Sequence, residues 1–571
     1  MELKNDLVIN LLTNVGDILE ILGESVYKIR AYRKAVEALK EITEDVENLV
    51  KEKKIEDVPG IGEAIGGKIK EIVETGKLYY LDKLLKQIPL EVTSLMKIEG
   101  IGGKTAGRLY HELGIKSIKG LEEAIGNGLL LSLPGFTEAK VAKIANALKS
   151  VKSEQKPLPN IEQHAFKISD FLVNTNLLLK VDIGGSFRRK KSTVRDLDIH
   201  AVGDPANFEQ VMKLFTEMTE VSEVIVTGSS KSTVKLVNDL NVDLRLLEEN
   251  SYGAGLLYST GSRAHTIKLR TICDKKNLTL NEYGLFKEKN DELIASLTET
   301  EIYKAMGMSF IPPELREDRG EIEAAMSNSL PRLITREDIM GDLHIHTNWS
   351  DGKASLKEMI TAADNSSLEY IAITDHVGKI PIYRPLNKTR FNEQKKELEN
   401  LVSDFEIKIL HGIEVDITKE GKIDAPKEML IEAEFVIASI HSLFDLSEEE
   451  MTQRILTAMD NEYINAIGHP TGRMFEKREG YNLNFSKIVE KGKETNTFLE
   501  INAQPNRQDI DDYIVFDIRV KLPVYIGTDA HYTKDLENIT WGINIARRGW
   551  CEKKHLLNCL GYKELLRKLK H

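Results

Sequence analysis

Apolar residues recur at intervals of three and four through the first 150 residues, as in LVINLLTNVGDILEILG and AYRKAVEALKEI. This spacing places the apolar positions on one face of a helix and predicts an all-α region. Three segments there share a hydrophobe–x–glycine–hydrophobe turn that opens a helix. They are VPGIGEAIGGKI at 58–69, IEGIGGKTAGRL at 98–109 and LPGFTEAKVAKI at 133–144.

The pattern changes after KPLPN at 156–160, where strand-like runs alternate with helical stretches. Runs such as LLLKVDIGGS, DLDIHAVG, EVIVTGSS and LNVDLRLL predict a mixed α/β fold. The proline-marked and highly charged segment IPPELREDRGEIEAA follows at 311 and is typical of a connector.

From residue 340 onward, seven strand-like segments end in polar residues that can serve as ligands, and helical stretches separate them. Repeated β–α units with functional groups at the carboxyl ends of the strands predict a barrel of about seven units. The segments are GDLHIHT, YIAITDH, IKILHGIEVDI, FVIASIHS, INAIGHP, TFLEINAQP and PVYIGTDAH.

Composition narrows the class of protein. A chain of 571 residues with 41% hydrophobic and 29% charged residues predicts three or four folded domains rather than disorder. Without a long apolar stretch, a signal-peptide pattern or more than three cysteines, we expect a reduced, cytoplasmic protein that needs no membrane. Residues 321–571 carry 33 Lys and Arg against 42 Asp and Glu, so most of the net charge of −12 lies there. Phosphate binding in the first two thirds would rest on local groups.

Nine imidazole and carboxylate side chains lie at or just after the ends of the predicted barrel strands. Such side chains suit zinc, manganese or iron, and carboxylates readily bridge two metal ions. A single histidine, such as His411 or His555, is more often an ordinary residue, but nine together favour a metal centre. They are His344, His346, Asp351, His376, Glu414, His441, His469, Asp529 and His531.

A second group of acids lies in the α/β region. Asp196 and Asp198 are two residues apart in a predicted strand, so alternation places both on one face, and Asp243 lies on another strand. Adjacent carboxylates repel each other unless a divalent cation binds them. The Gly184-Gly185-Ser186 turn offers backbone amides, and two arginines after it add positive charge for a phosphate. The alternative is a hairpin with solvated charges.

The helical turns offer a third site. The Gly-hydrophobe-Gly form at Gly60 and Gly62, and again at Gly100 and Gly102, lets backbone amides approach a DNA phosphate. The third turn has Thr137 in place of the second glycine, and both a packing role and a DNA-binding role remain open for it.

Residues from about 335 to the end resemble the PHP (polymerase and histidinol phosphatase) domain, because HIHT, TDH, GHP and TDAH supply the ligand positions of that family. The resemblance implies a metal-dependent phosphoesterase with up to three ions, Mn²⁺ or Zn²⁺, bound by the nine residues.

The segment GGSFRR followed by DLD and later VDLR resembles family X DNA polymerases. With the PHP domain, the whole chain resembles the bacterial and archaeal members. The resemblance implies two Mg²⁺ ions on Asp196, Asp198 and Asp243. Nucleotide contacts would come from YSTGS and RAHTIKLR as well as from the glycine turn, and Arg270 would contact DNA. The implied nucleotide-binding residues are Gly185, Ser186, Arg189, Tyr258, Gly261, Arg263 and His265.

Two positions depart from vertebrate members of that family. Ser259 replaces an aromatic residue of a Tyr-Phe pair, and Asn241 replaces an arginine that orients the third aspartate. Neither removes a metal ligand.

The first eighty residues resemble the small N-terminal domain of DNA polymerase beta through YKIRAYRKA and VPGIGEAIGGKI. The resemblance places Lys28, Tyr32 and Lys68 at the DNA and allows K⁺ or Na⁺ at the hairpins. The equivalent of Lys68 forms a Schiff base with an abasic sugar in vertebrate members, but a second phosphate-binding lysine is Ala64 here. Binding of a downstream 5′-phosphate is the expectation, and lyase activity remains open.

The sequence therefore predicts a multidomain protein with three kinds of fold. They are an all-α helix-hairpin-helix region, an α+β nucleotidyltransferase palm with a C-terminal subdomain, and an α/β PHP barrel of the distorted TIM type. The predicted boundaries are 1–82, 83–155, 156–247, 248–315, a linker at 316–338, and 339–571.

The predicted function is a monomeric, template-directed DNA polymerase that fills short gaps in repair. It would use dNTPs and gapped or primer–template DNA, with 3′–5′ exonuclease activity in the barrel. Cleavage at abasic sites also remains open. The alternatives are a PHP phosphoesterase with a DNA-binding front half that does not polymerise, a phosphatase for a small metabolite, a DNA-end scaffold, and template-free nucleotide addition.

Overall fold

A computed structural model describes residues 4–41, 46–98, 100–153, 155–378 and 384–569. The chain divides between Gln155 and Lys156 into two compact units. Among the described helices, none combines the length and the apolar character that crossing a membrane requires.

The first unit is entirely helical over its described residues, as the apolar spacing predicts. Its helices pack around one apolar core that contains Leu12, Ile69 and Leu109. The first glycine of each helical turn, at positions 60, 100 and 135, has a positive φ that side chains disfavour. The helices are α1 (Lys4–Ile21), α2 (Val26–Glu41), α3 (Val46–Lys51), α4 (Glu63–Thr75), α5 (Tyr79–Leu85), α6 (Gly103–Leu113), α7 (Ile118–Gly126) and α8 (Glu138–Ser153).

The second unit begins with a five-stranded mixed sheet in the order β2-β4-β7-β6-β5. Strands β4 and β7 run parallel, and the other neighbours are antiparallel. The sequence interpretation includes every strand of this sheet except β6, whose sequence KSTVKL is strongly polar. The elements are β1 (Lys156–Pro157), α9 (Leu158–Asn174), β2 (Leu178–Ile183), α10 (Gly185–Arg188), β3 (Thr193–Val194), β4 (Asp196–Gly203), α11 (Phe208–Thr216), β5 (Val221–Thr227), β6 (Lys231–Leu236) and β7 (Asn241–Leu247).

A smaller subdomain follows, with a three-stranded antiparallel sheet beside four helices. The segment predicted as a linker is packed into it: Arg316 and Glu321 are fully buried. Its charges are paired inside the protein, which composition alone could not indicate. The elements are α12 (Tyr252–Thr260), α13 (Arg263–Lys275), β8 (Leu278–Asn281), β9 (Gly284–Lys287), β10 (Glu292–Ala295), α14 (Glu299–Ala305) and α15 (Glu321–Met326).

The remaining residues form a nearly closed barrel of parallel strands, which confirms the predicted β–α repeat. The strand order is β11-β12-β14-β15-β16-β17-β18, and the short β13 also pairs with β14. A parallel bridge between Ile345 and Ala530 brings the last strand back to the first. The strands are β11 (Gly341–Ile345), β12 (Tyr370–Ile373), β13 (His376–Val377), β14 (Lys408–Asp416), β15 (Phe435–Ser439), β16 (Ala466–Ile467), β17 (Phe498–Asn502) and β18 (Val524–Gly527).

Within the described part of the barrel, eight helices accompany the strands. One continuous apolar cluster, from Leu158 to Leu556, contains buried side chains of both the five-stranded sheet and the barrel, and a second cluster around Tyr370, Phe435 and Tyr525 lies within the barrel. The helices are α16 (Leu356–Asn365), α17 (Lys388–Leu401), α18 (Lys427–Glu432), α19 (Glu448–Met459), α20 (Phe485–Thr495), α21 (Asp512–Ile518), α22 (Ile539–Arg548) and α23 (Tyr562–Lys568).

Candidate active sites

Three carboxylates meet where the two parallel strands of the five-stranded sheet lie side by side. In the register of β4 and β7, Asp198 lies directly opposite Asp243, and Asp196 lies opposite Asn241. Burial, with the negative charges of Asp196 and Asp243 adding to it, raises the pKa of Asp198 to about 6. Clustered carboxylates with an unfavourable mutual charge are a suitable donor set for divalent cations.

Strand β6 holds the third carboxylate. Thr233 donates from Oγ1 to Oδ1 of Asp243 at 2.5 Å, and Nζ of Lys231 lies 3.5 Å from its Oδ2. These two residues therefore hold the carboxylate from the neighbouring strand β6. Sequence reasoning missed both, although their alternation in KSTVKL places them on one face of a strand.

The glycine turn packs tightly against the second aspartate. The amide of Gly184 donates to the main-chain oxygen of Asp198 at 2.7 Å, and Gly185 has a φ of +59°. A side chain at Gly185 would collide with the carboxylate of Asp198. Glycine is required here because the turn approaches the carboxylates closely, and the half-buried Ser186 follows it.

Both arginines after the turn are engaged with protein groups. Arg188 forms two parallel bonds with Glu299, from Nη1 to Oε1 at 2.8 Å and from Nη2 to Oε2 at 2.7 Å. Arg189, a predicted triphosphate contact, donates from Nε to Glu317 at 2.8 Å and from Nη1 to the carbonyl of Thr260 at 2.8 Å. Arg189 would have to leave Glu317 to use its whole guanidinium on a phosphate.

The remaining predicted nucleotide and DNA contacts of this region lie at α12 and α13. Tyr258, Arg263 and Arg270 are exposed, and Gly261 is half-buried. These four residues are therefore accessible to a ligand.

His265 is placed differently from the sequence interpretation. It is fully buried, and Nδ1 lies 2.6 Å from Glu321 while Nε2 lies 3.1 Å from the hydroxyl of Tyr303. With both ring nitrogens engaged, its side chain joins α13 to α14 and α15 instead of facing a nucleotide. The signal for this was its spacing of four from the buried Leu269.

In the first unit, two helical turns expose their glycines on either side of a buried isoleucine. Gly60 and Gly62 flank Ile61, which is 4% exposed, and Gly100 and Gly102 flank Ile101 in the same way. A Cβ at position 62 or 102 would meet nothing within 4 Å. The surface beside these two glycines is therefore open to a ligand.

The third turn keeps the same backbone with a different surface. Gly135 has a φ of +84°, and Phe136 is buried behind it. Lys140 and Arg108 lie against the ring of Phe136, with Nζ of Lys140 4.2 Å from the ring centroid. A phosphate that reached this turn would find two cations.

A further cationic cluster lies near the start of the first unit. Nζ of Lys28 and Nζ of Lys68 lie 5.5 and 5.2 Å from the ring centroid of Tyr80. Tyr32, a predicted DNA contact, is 4% exposed and stacks on Tyr80 at 6.5 Å between ring centroids. Tyr32 therefore supports the cluster from beneath, and Tyr80 is the member that sequence reasoning missed.

The predicted metal ligands of the barrel converge at the carboxyl ends of its strands. Most of them are almost completely buried, including His344, His346 and Glu414. Three overlapping groups have ligand atoms within 4.8 Å of one another: His344, His346 and Asp529; His346, Asp351 and His376; and His376, Glu414 and His441.

Glu414 lies at the middle of this cluster. Its Oε2 is 3.4 Å from Nε2 of both His344 and His346, and 3.1 Å from Nδ1 of His376. Its Oε1 is 3.5 Å from His441 and 3.2 Å from His469. One carboxylate therefore faces five imidazoles, and the ninth residue, His531, lies 3.2 Å from Asp351.

The donor atoms of this centre fit metal ions. Among the described residues, several of its buried atoms have no hydrogen-bond partner, including Nε2 of His344 and both ring nitrogens of His346. Buried polar atoms are nearly always paired, so unpaired acceptors that converge on one point indicate a cation site. Burial opposes ionisation of Glu414, but the surrounding histidines, His376 and His344 foremost, hold its pKa well below its usual range.

Two carboxylates outside the nine ligands support the cluster. Oε1 of Glu500 lies 2.7 Å from Nδ1 of His344, and its Oε2 accepts the amide of His469 at 2.6 Å. Asp416 lies 3.4 Å from Nδ1 of His441. Such partners orient a ligating imidazole and fix its tautomer. Both acids stand within the strand segments TFLEINAQP and IKILHGIEVDI, yet their role depends on neighbours distant in sequence.

The two histidines interpreted as ordinary residues lie outside the cluster. Nε2 of His411 is 2.9 Å from Oε1 of Gln394, and its ring stacks on Phe391. His555 accepts the amide of Glu552 at 3.0 Å.

Comparison with known proteins shows four matching family models. A helix-hairpin-helix domain matches residues 3–78, and a SAM-like helix-hairpin-helix tandem matches 92–150. The DNA polymerase beta thumb matches 255–317, and the PHP domain matches 342–504.

Three curated proteins illustrate the similarity. The chain is 35% identical to DNA polymerase/3′-5′ exonuclease PolX of Bacillus subtilis (strain 168), over 98% of both chains. It is 28% identical to a probable phosphatase of Thermoanaerobacter sp. (strain X514), over 38% of this chain and 89% of the phosphatase. It is 25% identical to DNA polymerase lambda of Arabidopsis thaliana, over 52% of this chain and 61% of the polymerase.

Proposed function

Because the chain belongs to the family X DNA polymerases of the PolX type, which carry a PHP domain, we propose that it fills short gaps in DNA and trims 3′ ends at a second site. The observation that carries this proposal is the coexistence of two separate acidic centres in one chain. Asp198 and Asp243 face each other across β4 and β7, and Glu414 faces five imidazoles in the barrel.

In the polymerase site, Asp196, Asp198 and Asp243 would hold two Mg²⁺ ions, since carboxylate oxygens suit this ion. When bound, the ions stabilise the negative charge that develops as a primer 3′-oxygen attacks the α-phosphate of a dNTP in line. Asp243 would help to activate the primer hydroxyl, and Thr233 donates a hydrogen bond to one of its oxygens.

The nucleotide would lie against the glycine turn. Gly185 and Ser186 present backbone amides to a triphosphate, and Arg189 adds a charge beside them. Tyr258, Gly261 and Arg263, which are accessible, would contact the sugar and base side of the same nucleotide.

In the barrel, the nine ligands would hold up to three ions, Mn²⁺ or Zn²⁺, as mixed imidazole and carboxylate donors prefer. When bound, the ions would supply the Lewis acidity that hydrolysis of a phosphodiester requires. Glu500 and Asp416 would keep His344 and His441 in the ligating orientation. The expected reaction is removal of nucleotides from a 3′ end.

The first unit would bind DNA through its phosphates, in a sequence-independent manner that suits a repair enzyme. The exposed turns at Gly60 and Gly100 would contact the backbone, with K⁺ or Na⁺ as an additional ligand. Lys28 and Lys68 would bind a downstream 5′-phosphate beside Tyr80. Nζ of Lys68 donates to the carbonyl of Ala64 at 3.0 Å, so a lyase role would require that bond to break.

One gel experiment tests the two activities together. An end-labelled primer on a one-nucleotide gap with a downstream 5′-phosphate is incubated with Mn²⁺, with and without dNTPs. Wild type is compared with D196A/D198A and with H344A/H346A. We expect extension to disappear only in the first variant and shortening only in the second.

The outcomes separate the candidate functions. Absence of template-directed extension by the wild type would leave a DNA-bound phosphoesterase, the function that similarity of the barrel to a probable phosphatase favours second. Addition of nucleotides regardless of the template base would indicate a template-free transferase. Extension without shortening would mean that the barrel acts on another substrate.

A further inference from the structure

Helix α22 of the barrel ends at an arginine that reaches the polymerase site. The side chain of Arg548 is 1% exposed, and its Nη1 donates to the main-chain oxygen of Arg189 at 2.8 Å. Its Nη2 lies 3.0 Å from Oε1 of Glu317 and 3.1 Å from Oδ2 of Asp512. One buried guanidinium therefore connects the residue after the glycine turn, the segment predicted as a linker, and the barrel.

Arg189 and Arg548 share one carboxylate oxygen. Nε of Arg189 also donates to Oε1 of Glu317, at 2.8 Å. The side chain of Glu317 is 13% exposed, and its pKa lies below its usual range because Arg548 and Arg189 outweigh the opposing effect of burial. Because a guanidinium stays charged at every accessible pH, both arginines remain cationic partners of this oxygen.

This shared carboxylate affects how readily Arg189 can bind a nucleotide. A buried carboxylate that loses its last cation is strongly unfavourable, so Glu317 would hold Arg189 tightly if Arg189 were its main partner. With Arg548 present, Glu317 keeps a cation when Arg189 turns toward a phosphate. The bond to the carbonyl of Arg189 also keeps the end of the glycine turn in place during that change.

We propose that Arg548, a residue of the PHP barrel, is a positioning residue for nucleotide binding in the polymerase site. It releases the Arg189 side chain from Glu317 and anchors the Arg189 backbone. This inference rests on the proposed function, in which Arg189 contacts the triphosphate.

The test measures KM for dNTP and kcat for gap filling with the full-length protein. In R548M we expect KM to rise about tenfold while kcat at saturating dNTP stays within about twofold, because the variant loses ground-state binding of the nucleotide. The matched control is R547M. Arg547 lies on the same helix and bonds to Glu314 and to the carbonyl of Ile334, and its loss should leave KM unchanged.

A second substitution separates positioning from simple support of the fold. In R548M/E317Q the carboxylate that would retain Arg189 is neutral, so we expect KM to return toward the wild-type value. A purely structural Arg548 predicts the opposite, since the double variant has lost one more buried contact. Should R548M fail to fold, the neutral polar variants R548Q and R548Q/E317Q give the same comparison.

Two outcomes overturn the inference while the proposed function stands. In the first, wild type extends the primer and R548M has the same KM for dNTP as wild type. In the second, the KM of R548M/E317Q is no lower than that of R548M. A wild type that cannot extend the primer at all refutes the polymerase function and this inference with it.

Discussion

The carboxylate of Asp198 occupies the space that any side chain at Gly185 would need, because a Cβ on Gly185 would overlap Oδ2 of Asp198. The glycine turn therefore packs directly against the strand that carries Asp198, with no room for a side chain between them. The two motifs stand thirteen residues apart in the chain and form one site.

We expect G185A to reduce gap filling by at least about a hundredfold, because the methyl group must displace Asp198 or the turn. Exonuclease activity should remain. G320A is the matched control, since Gly320 also has a positive φ, +96°, but has nothing within 4 Å of an added Cβ. Equal losses of extension in the two variants would mean that backbone strain alone is responsible.

D198N should stabilise the metal-free protein, and the effect should depend on pH. The pKa of Asp198 is raised from 3.8 to about 6, so the folded state favours its neutral form. That stability is complete below pH 4 and is lost as the pH rises through about 6, whereas asparagine never ionises. Denaturant unfolding in EDTA should show an advantage for D198N of roughly 3 kcal/mol at pH 8, and of roughly half that at pH 5. The same advantage at both pH values would contradict the raised pKa, and Mg²⁺ should stabilise only the wild type.

E414Q should abolish shortening of the primer, with a loss of at least about a hundredfold, and leave extension within about twofold. The amide cannot provide the charge that faces five imidazoles. H411Q is the control, because His411 is a buried histidine of the same strand that bonds to Gln394 outside the cluster. Retention of nuclease activity by E414Q would place the reaction elsewhere.

E500Q should weaken metal binding without removing a ligand. The amide keeps the shape of the side chain but loses the charge that supports His344, so we expect the Mn²⁺ concentration for half-maximal nuclease activity to rise about 10- to 100-fold. The maximal rate at saturating Mn²⁺ should be largely restored. An unchanged metal dependence would limit Glu500 to a packing role.

G62A and G102A should weaken DNA binding while the fold is retained. A methyl group at either position meets no protein atom within 4 Å, but it would occupy the approach of a phosphate to the helix amides. We expect a loss of affinity of about tenfold in the double variant, measured by fluorescence anisotropy at fixed salt. G126A, also free of contacts in the first unit, should bind DNA normally. If the affinity of G126A for DNA is as low as that of the double variant, the turns are not the DNA contacts.

The fold and the two acidic centres could be predicted because local pattern carries them. Asp196 and Asp198 share a face by strand alternation, and the barrel ligands follow recognisable strand ends. The sequence could not indicate that a third strand holds Asp243 through Thr233, because this contact depends on sheet register.

Partners distant in sequence account for what the pattern missed. The sequence suggests that His265 contacts a nucleotide, but in the fold its ring nitrogens contact Glu321 and Tyr303. The segment predicted as a linker is highly charged, and it is buried because Arg316 pairs with Glu299. A charged side chain is expected to be exposed only if no oppositely charged side chain pairs with it inside the fold. The same reason conceals the bond between Arg548 and Arg189, which are 359 positions apart.

The single apolar cluster shared by the five-stranded sheet and the barrel has an evolutionary consequence. Deleting the barrel would break this cluster open, whereas replacing a histidine ligand would remove none of its apolar side chains. A lineage under no selection for the nuclease would therefore lose its ligands one by one and still inherit the barrel.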